Sequence, residues 1–303
     1  MIEYLYIFLN VTANVTKGLV SKQAAKFLPN AKRNIVFGFE KELICLAASL
    51  VVMLKNASIH CLNVTLVELA IFAVGGAFTA VFQLLWMREV GQIMYMTVSA
   101  FGNASFIIPC ILGLAFFGEK FTLKTAAAFL ITAVGIVIMY SCDLAEKTES
   151  DKKKITFSGF AMLLLLTVSQ GISQFTQKLY MAMCPNARSD VYSFYTYLAA
   201  LVVFIVAMAF TDKKRGRESA ELCKSVFSDT WKYLLIISLG MYIATYFQTL
   251  AAKTLDAVIL YPVTTALNLG GSTIMSNIIF GDKITVKSIV GTVLVFAAVV
   301  LIK

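Results

Sequence analysis

Three consecutive charged residues, Glu40, Lys41 and Glu42, interrupt an otherwise apolar run, VFGFEKELICLAASLVVML. A carboxylate inside such a run gives up most of its hydration, so its charge is costly and a bound proton relieves the cost. That is the chemistry of proton coupling, and Glu40, then Glu42, are the candidates for it. The same acids suit the positive end of a helix dipole, and Lys41 can snorkel or pair with either of them. A second set consists of neutral amides inside apolar runs: Asn14, Gln83, Asn103, Gln170, Gln248 and Asn268. There an amide either bonds a neighbouring helix, worth about 0.6–2 kcal/mol, or replaces the water that a solute leaves behind. Tyr95, Tyr195, Tyr242, Tyr246 and Tyr261, with Trp86, form a third set. For these the competing role is anchoring at the membrane interface, which aromatic side chains favour.

Enzyme chemistry has little to work with. The single histidine, His60, falls in a polar connection, and the sequence holds no H-E-x-x-H pair, G-x-S-x-G elbow or phosphate-cradling glycine-lysine loop. The six cysteines are scattered without the paired spacing of metal or redox sites. The reading is of a protein that is no enzyme and needs no cofactor or metal. Any work it does on a solute draws on protons, another ion, a counter-solute or the solute's own gradient.

The elements that must position these residues are membrane helices. Of 303 residues, 59% are hydrophobic and 14% charged, against about a quarter charged in an ordinary soluble domain. Short polar clusters break the apolar runs at intervals suited to crossing roughly 30 Å of hydrocarbon as helix. Ten spans are predicted, at about 2–20, 34–54, 65–88, 92–117, 122–141, 157–179, 190–211, 232–253, 256–280 and 285–302. MIEYLYIFLN has neither a basic leader nor a cleavage pattern, so the first run is read as a retained span. The net charge of +9 resides mainly in the connections, where anionic lipid headgroups account for it better than nucleic acid does. Residues 211–232 read as a long basic loop, and Pro109 and Pro262 as kinks in the fourth and ninth spans.

The chain repeats itself. FGEKFTLKT near residue 120 returns as FGDKITVKS near residue 283, LPNAK as CPNAR, Lys22 as Lys178, and VFQLLWMR as YFQTLAAK. Residues 1–142 and 157–303 are therefore read as two five-span copies joined by a polar linker, 143–156, within one all-α membrane domain. Five is odd, so the second copy must enter the bilayer from the opposite face, the inverted arrangement on which alternating access is built. The matching pairs Asn14 with Gln170, Asn103 with Asn268, and Gln83 with Gln248 then face one another across a shared centre. Glu119 and Asp282, which open the repeated turn, are read as structural groups at helix starts.

Gly118, Glu119 and Thr122 leading to Gly135, and Gly281, Asp282 and Thr285 leading to Gly291, resemble the G-E-x-x-T turn of the drug/metabolite transporter superfamily, in its ten-span EamA-like branch. The resemblance extends over the whole chain in span number and layout. It implies a secondary transporter that carries a small organic metabolite or drug-like solute through a central cavity in a plasma or bacterial inner membrane, and it leaves room for a homodimer. It also implies both termini in the cytoplasm, whereas the bias of Lys and Arg toward the odd-numbered connections favours termini outside. Neutral amides and tyrosines suit an amphipathic or zwitterionic solute. A proton-coupled exporter of organic cations using Glu40 is the alternative within the class, and a non-transporting scaffold or receptor is the alternative outside it.

Overall fold

The computed structural model describes residues 2–56, 63–92, 95–118, 122–146, 157–184, 186–211, 217–280 and 286–302. His60, Glu119, Lys120, Asp282, Lys283 and the 147–156 part of the linker lie outside them. The described residues form eleven α-helices. In the first half these are α1 (Ile2–Ala24), α2 (Ala31–Lys55), α3 (Leu66–Gln92), α4 (Tyr95–Ala104), α5 (Ile107–Phe117) and α6 (Leu123–Glu146). In the second they are α7 (Phe157–Met183), α8 (Ser189–Thr211), α9 (Arg217–Thr254), α10 (Ala257–Phe280) and α11 (Val286–Ile302).

Local chemistry starts and stops the helices. Asn30 of LPNAK caps α2, its side-chain oxygen accepting from the Arg33 N–H at 3.0 Å. Thr65 and Glu68 form a reciprocal capping box at α3, with Glu68 accepting from the Thr65 N–H at 2.7 Å. Thr122, the last residue of the G-E-x-x-T turn, accepts from the Thr125 N–H at 3.2 Å and starts α6. At the other side of that turn Gly118 ends α5 with φ of 61°, a left-handed conformation that costs a residue with a Cβ about 1–2 kcal/mol.

The expected fourth span is interrupted. Pro109 has no N–H to give to the Ser105 carbonyl and its ring crowds that oxygen. Ile108 bonds Ser105 instead, at 3.1 Å, and Phe106 bonds Asn103 at 3.3 Å, tight turns that separate α4 from α5. Pro262, near the start of α10, leaves that helix continuous. The expected basic loop also proves mostly helical: α9 begins at Arg217 and runs for 38 residues. Arg33 holds its early turns, reaching Ser225 Oγ at 3.3 Å and pairing with Asp229.

Among the described residues six helical segments are long and apolar enough to cross a membrane: Leu66–Gln92, Thr97–Phe117, Ser158–Met183, Ser189–Thr211, Ala220–Thr254 and Ala257–Ile279. Large apolar side chains such as Val51, Phe210 and Ile278 are exposed to 64%, 84% and 68%, as befits contact with lipid. Together these make the chain an integral membrane protein. Helices α1 and α2 are less apolar because they carry Asn10, Asn14, Lys17, Glu40, Lys41 and Glu42, groups that are buried or line an internal cavity.

Helix α1 packs on α9 and α10, α3 on α7 and α8, α2 on α8 and α9, and α6 on α11. The α3–α8 crossing is close because Gly76 has no side chain: a Cβ there would stand 2.5 Å from the Thr196 carbonyl oxygen and 2.8 Å from the Ala200 nitrogen. Both are backbone atoms of α8 and can yield only if the helices part. Gly76→Leu should therefore destabilise the bundle by about 1–3 kcal/mol or more, read as a lower melting temperature and loss of the monodisperse species in detergent. A melting temperature equal to wild type would mean that the two helices are not in this contact.

Candidate functional site

One central cavity draws its walls from seven helices of both halves. Asn14 on α1, Gln83 on α3, Asn103 on α4, Gln170 on α7, Gln248 on α9 and Asn268 on α10 all line it, so the six amides picked out by the internal match meet around a single space. Tyr95 and Trp86 line it too, their rings edge to face at 6.2 Å. Tyr95 is 2% exposed, and Ser99 and Ser272 line the same space.

Several of these groups are held, and several are left with capacity to bind. Asn14 donates to Asn10 Oδ1 at 3.1 Å, and Asn10 in turn donates to the Ala244 carbonyl at 2.8 Å, tying α1 to α9. Asn103 folds back on its own helix, donating to the Ser99 carbonyl at 2.8 Å, while its backbone carbonyl accepts from Thr265 at 3.3 Å. Gln83 donates to the Met241 sulfur at 3.1 Å, but its carbonyl oxygen, like that of Asn268, is buried without a hydrogen-bond partner among the described residues. Such an oxygen costs roughly 1–3 kcal/mol unless something polar reaches it. A solute donor in the cavity would do so.

Tyr195, Tyr246 and Tyr261 do not line this space. Tyr195 stacks on Phe72 at 5.2 Å within an aromatic cluster of α3, α7 and α8. Tyr261 is fully buried and donates to the Gln174 carbonyl at 2.6 Å, joining α10 to α7. Tyr246 shares a polar junction with Asn56, Asp190 and Arg188 at the end of α2. Tyr242 packs against Tyr197 and Tyr246.

The charged run divides between the cavity wall and the layer behind it. Glu40 is buried but does not line the cavity; Lys41 does, and so does Lys17 of α1. Glu42 stands immediately behind Lys41, fully buried, with its carboxylate 3.9 Å from the Lys41 ammonium. Lys17 was legible in principle, since Asn14, Lys17 and Ser21 follow the three- and four-residue spacing of one helix face and all three line the cavity. Lysine178, the counterpart of Lys22, serves structure: its ammonium donates to the Leu255 carbonyl at 2.7 Å and the Ala252 carbonyl at 3.3 Å, closing the end of α9.

The family model of the UAA transporter family matches residues 100–303, from α4 to the end of the chain and two thirds of its length. The chain belongs to the UAA transporter family. This is a family of solute transporters of the drug/metabolite type, not of enzymes, which agrees with the superfamily indicated by the G-E-x-x-T turns. Among 28 similar chains of known structure, one crystal structure superposes over 99% of this UAA transporter and 96% of its own chain, with a TM-score of 0.70 and 12% sequence identity. At that identity the likeness is one of fold. No curated protein matches the chain by sequence.

Proposed function

We propose that this UAA-family protein is a secondary transporter of a small organic anion, working by alternating access through the central cavity. The observation that carries the reading is the pair Lys17 and Lys41 in a wall otherwise built of neutral amides, hydroxyls, aromatic rings and the apolar side chains of Met87, Ile237 and Met241. An ammonium kept from bulk water is costly unless an anion comes to it, so the solute meets positive charge first. That weighs against an organic-cation exporter working through Glu40. A scaffold or receptor would have no need of an amide-lined space between its halves.

Support for two inverted copies comes from how the helices pair. If α1 corresponds to α7, α2 to α8, α3 to α9, α4 and α5 together to α10, and α6 to α11, exchanging the halves turns the α1–α9 contact into α7–α3 and the α2–α9 contact into α8–α3. The α2–α8 and α6–α11 contacts map onto themselves. Ten crossings in two copies, 1–142 and 157–303, fit this pattern, with α4 and α5 making one crossing. The driving force is a gradient of ions or of a second solute.

The test is uptake into liposomes by the purified protein, with anionic, zwitterionic and cationic solutes compared under the same imposed gradients. Anions should be taken up and should compete with one another. Uptake confined to cations, or none above protein-free liposomes for any class, would dismiss the proposal.

A further inference from the structure

Glu42 is a buried acid with no place in the cavity wall. Both its carboxylate oxygens lack a hydrogen-bond partner among the described residues. Lys41 is 3.9 Å away, and the other electrostatic neighbours of Glu42 are Cys45 from its own helix, Lys17 from α1, Gln83 from α3 and Tyr197 from α8. Of these, Lys41, Lys17 and Gln83 line the cavity. The carboxylate thus stands one layer back, behind the ammonium groups that a solute would touch. We propose that Glu42 is the charge-setting residue of the transport site: a fixed internal counter-anion that leaves Lys17 and Lys41 with one net positive charge and so determines how many negative charges the carried solute bears. This rests on the reading of the cavity as an anion site.

The physical reason is that full burial makes every uncompensated charge expensive, more so while the bundle closes around its cargo. Two lysines with one carboxylate leave a single charge for the solute to cancel. The second half does not repeat the arrangement. Counting from LPNAK and CPNAR, Tyr197 and Leu198 of α8 stand where Lys41 and Glu42 stand on α2, so the charges form one site on one half. The neutral amides, by contrast, are found on both.

The prediction concerns a ratio, which cancels differences in solute size. The probes are methanesulfonate, with one charge, and ethane-1,2-disulfonate, with two, neither of which titrates near neutrality. Their binding to the purified full-length transporter is read as ligand-induced thermal stabilisation. In Glu42→Gln the site gains a positive charge, and the affinity ratio of disulfonate to monosulfonate should rise roughly tenfold or more. In Lys41→Gln it should fall by a similar factor. The double variant Lys41→Gln with Glu42→Gln restores the net charge and should return the ratio to within about threefold of wild type. Because it removes both partners of the buried pair, it also serves if Glu42→Gln alone fails to fold.

A ratio in the double variant that stays with either single variant would overturn the assignment, as would a folded Glu42→Gln protein with the wild-type ratio. A wild-type ratio that moves to the Glu42→Gln value when the pH is lowered from 8 to 6 would also overturn it, by making Glu42 a proton carrier and not a fixed charge. If neither sulfonate stabilises wild type while cations do, the anion reading itself fails, an outcome distinct from all of these.

Discussion

Replacing Lys17 by methionine is expected to lower anion uptake roughly a hundredfold while leaving the fold in place. Truncating one member of a desolvated charge pair costs 2–5 kcal/mol or more, and here the partner would be the solute. Methionine keeps the stem, which matters because Gly240 of α9 approaches that stem closely: a Cβ on Gly240 would be 3.2 Å from the Lys17 Cβ. An alanine would confound loss of charge with loss of packing. The measurement is initial uptake rate into liposomes beside the melting temperature of the same preparation. Unaltered anion uptake in a folded Lys17→Met protein would remove the observation on which the transport reading stands.

The second large effect concerns the two ends of α2. At the start of α2, Arg33 joins the Phe27 carbonyl at 2.9 Å to Ser225 and Asp229 of α9. At its other end Asn56 donates to Asp190 Oδ2 at 3.1 Å, and Arg188 pairs with the same carboxylate at 3.3 Å. These ties are separated by the length of α2, about 35 Å at 1.5 Å per residue, and each joins one half of the chain to the other. If the halves rock, each tie must open in turn. Bridging cysteines at 56 and 190, or at 33 and 229, with a short reducible cross-linker should stop turnover almost completely in either case, and a reductant should bring it back. The six native cysteines must first be replaced and the replaced protein shown to transport. Cross-linked protein that turns over at the uncross-linked rate would mean that the halves do not part at these places.

Much of the framework could be read from residue order because lipid imposes a simple rule: apolar runs of sufficient length, broken by caps and turns. The break at Pro109 followed from one missing N–H. The six cavity amides were legible because a polar side chain inside an apolar run has few reasons to be there, and because each has a counterpart in the other half. What could not be read was the direction of side chains around a helix crowded with charge. Glu40, Lys41 and Glu42 are adjacent in sequence, yet successive residues are about 100° apart around the axis, so one faces the cavity, one lies behind it and one faces elsewhere. The tyrosines were ambiguous for a related reason. Tyr95 reaches the cavity while Tyr195 and Tyr261 close helix contacts, and the same amphipathic ring serves both ends. The early turns of α9 look like a loop by charge, although Arg217, Glu218, Ala220, Glu221 and Leu222 are good helix formers and a partner on α2 holds the segment.

Helix α9 is a single rod of 38 residues, about 57 Å long, nearly twice the thickness of the hydrocarbon it crosses. Its inner part carries Ile237, Met241 and Gln248 in the cavity wall, and a helix so much longer than the hydrocarbon is thick must, unless steeply tilted, leave part of its length in water. Whatever displaces those wall residues must therefore swing an aqueous pointer, and a dye attached near Glu221 would register cargo arriving tens of ångströms away without touching the binding space.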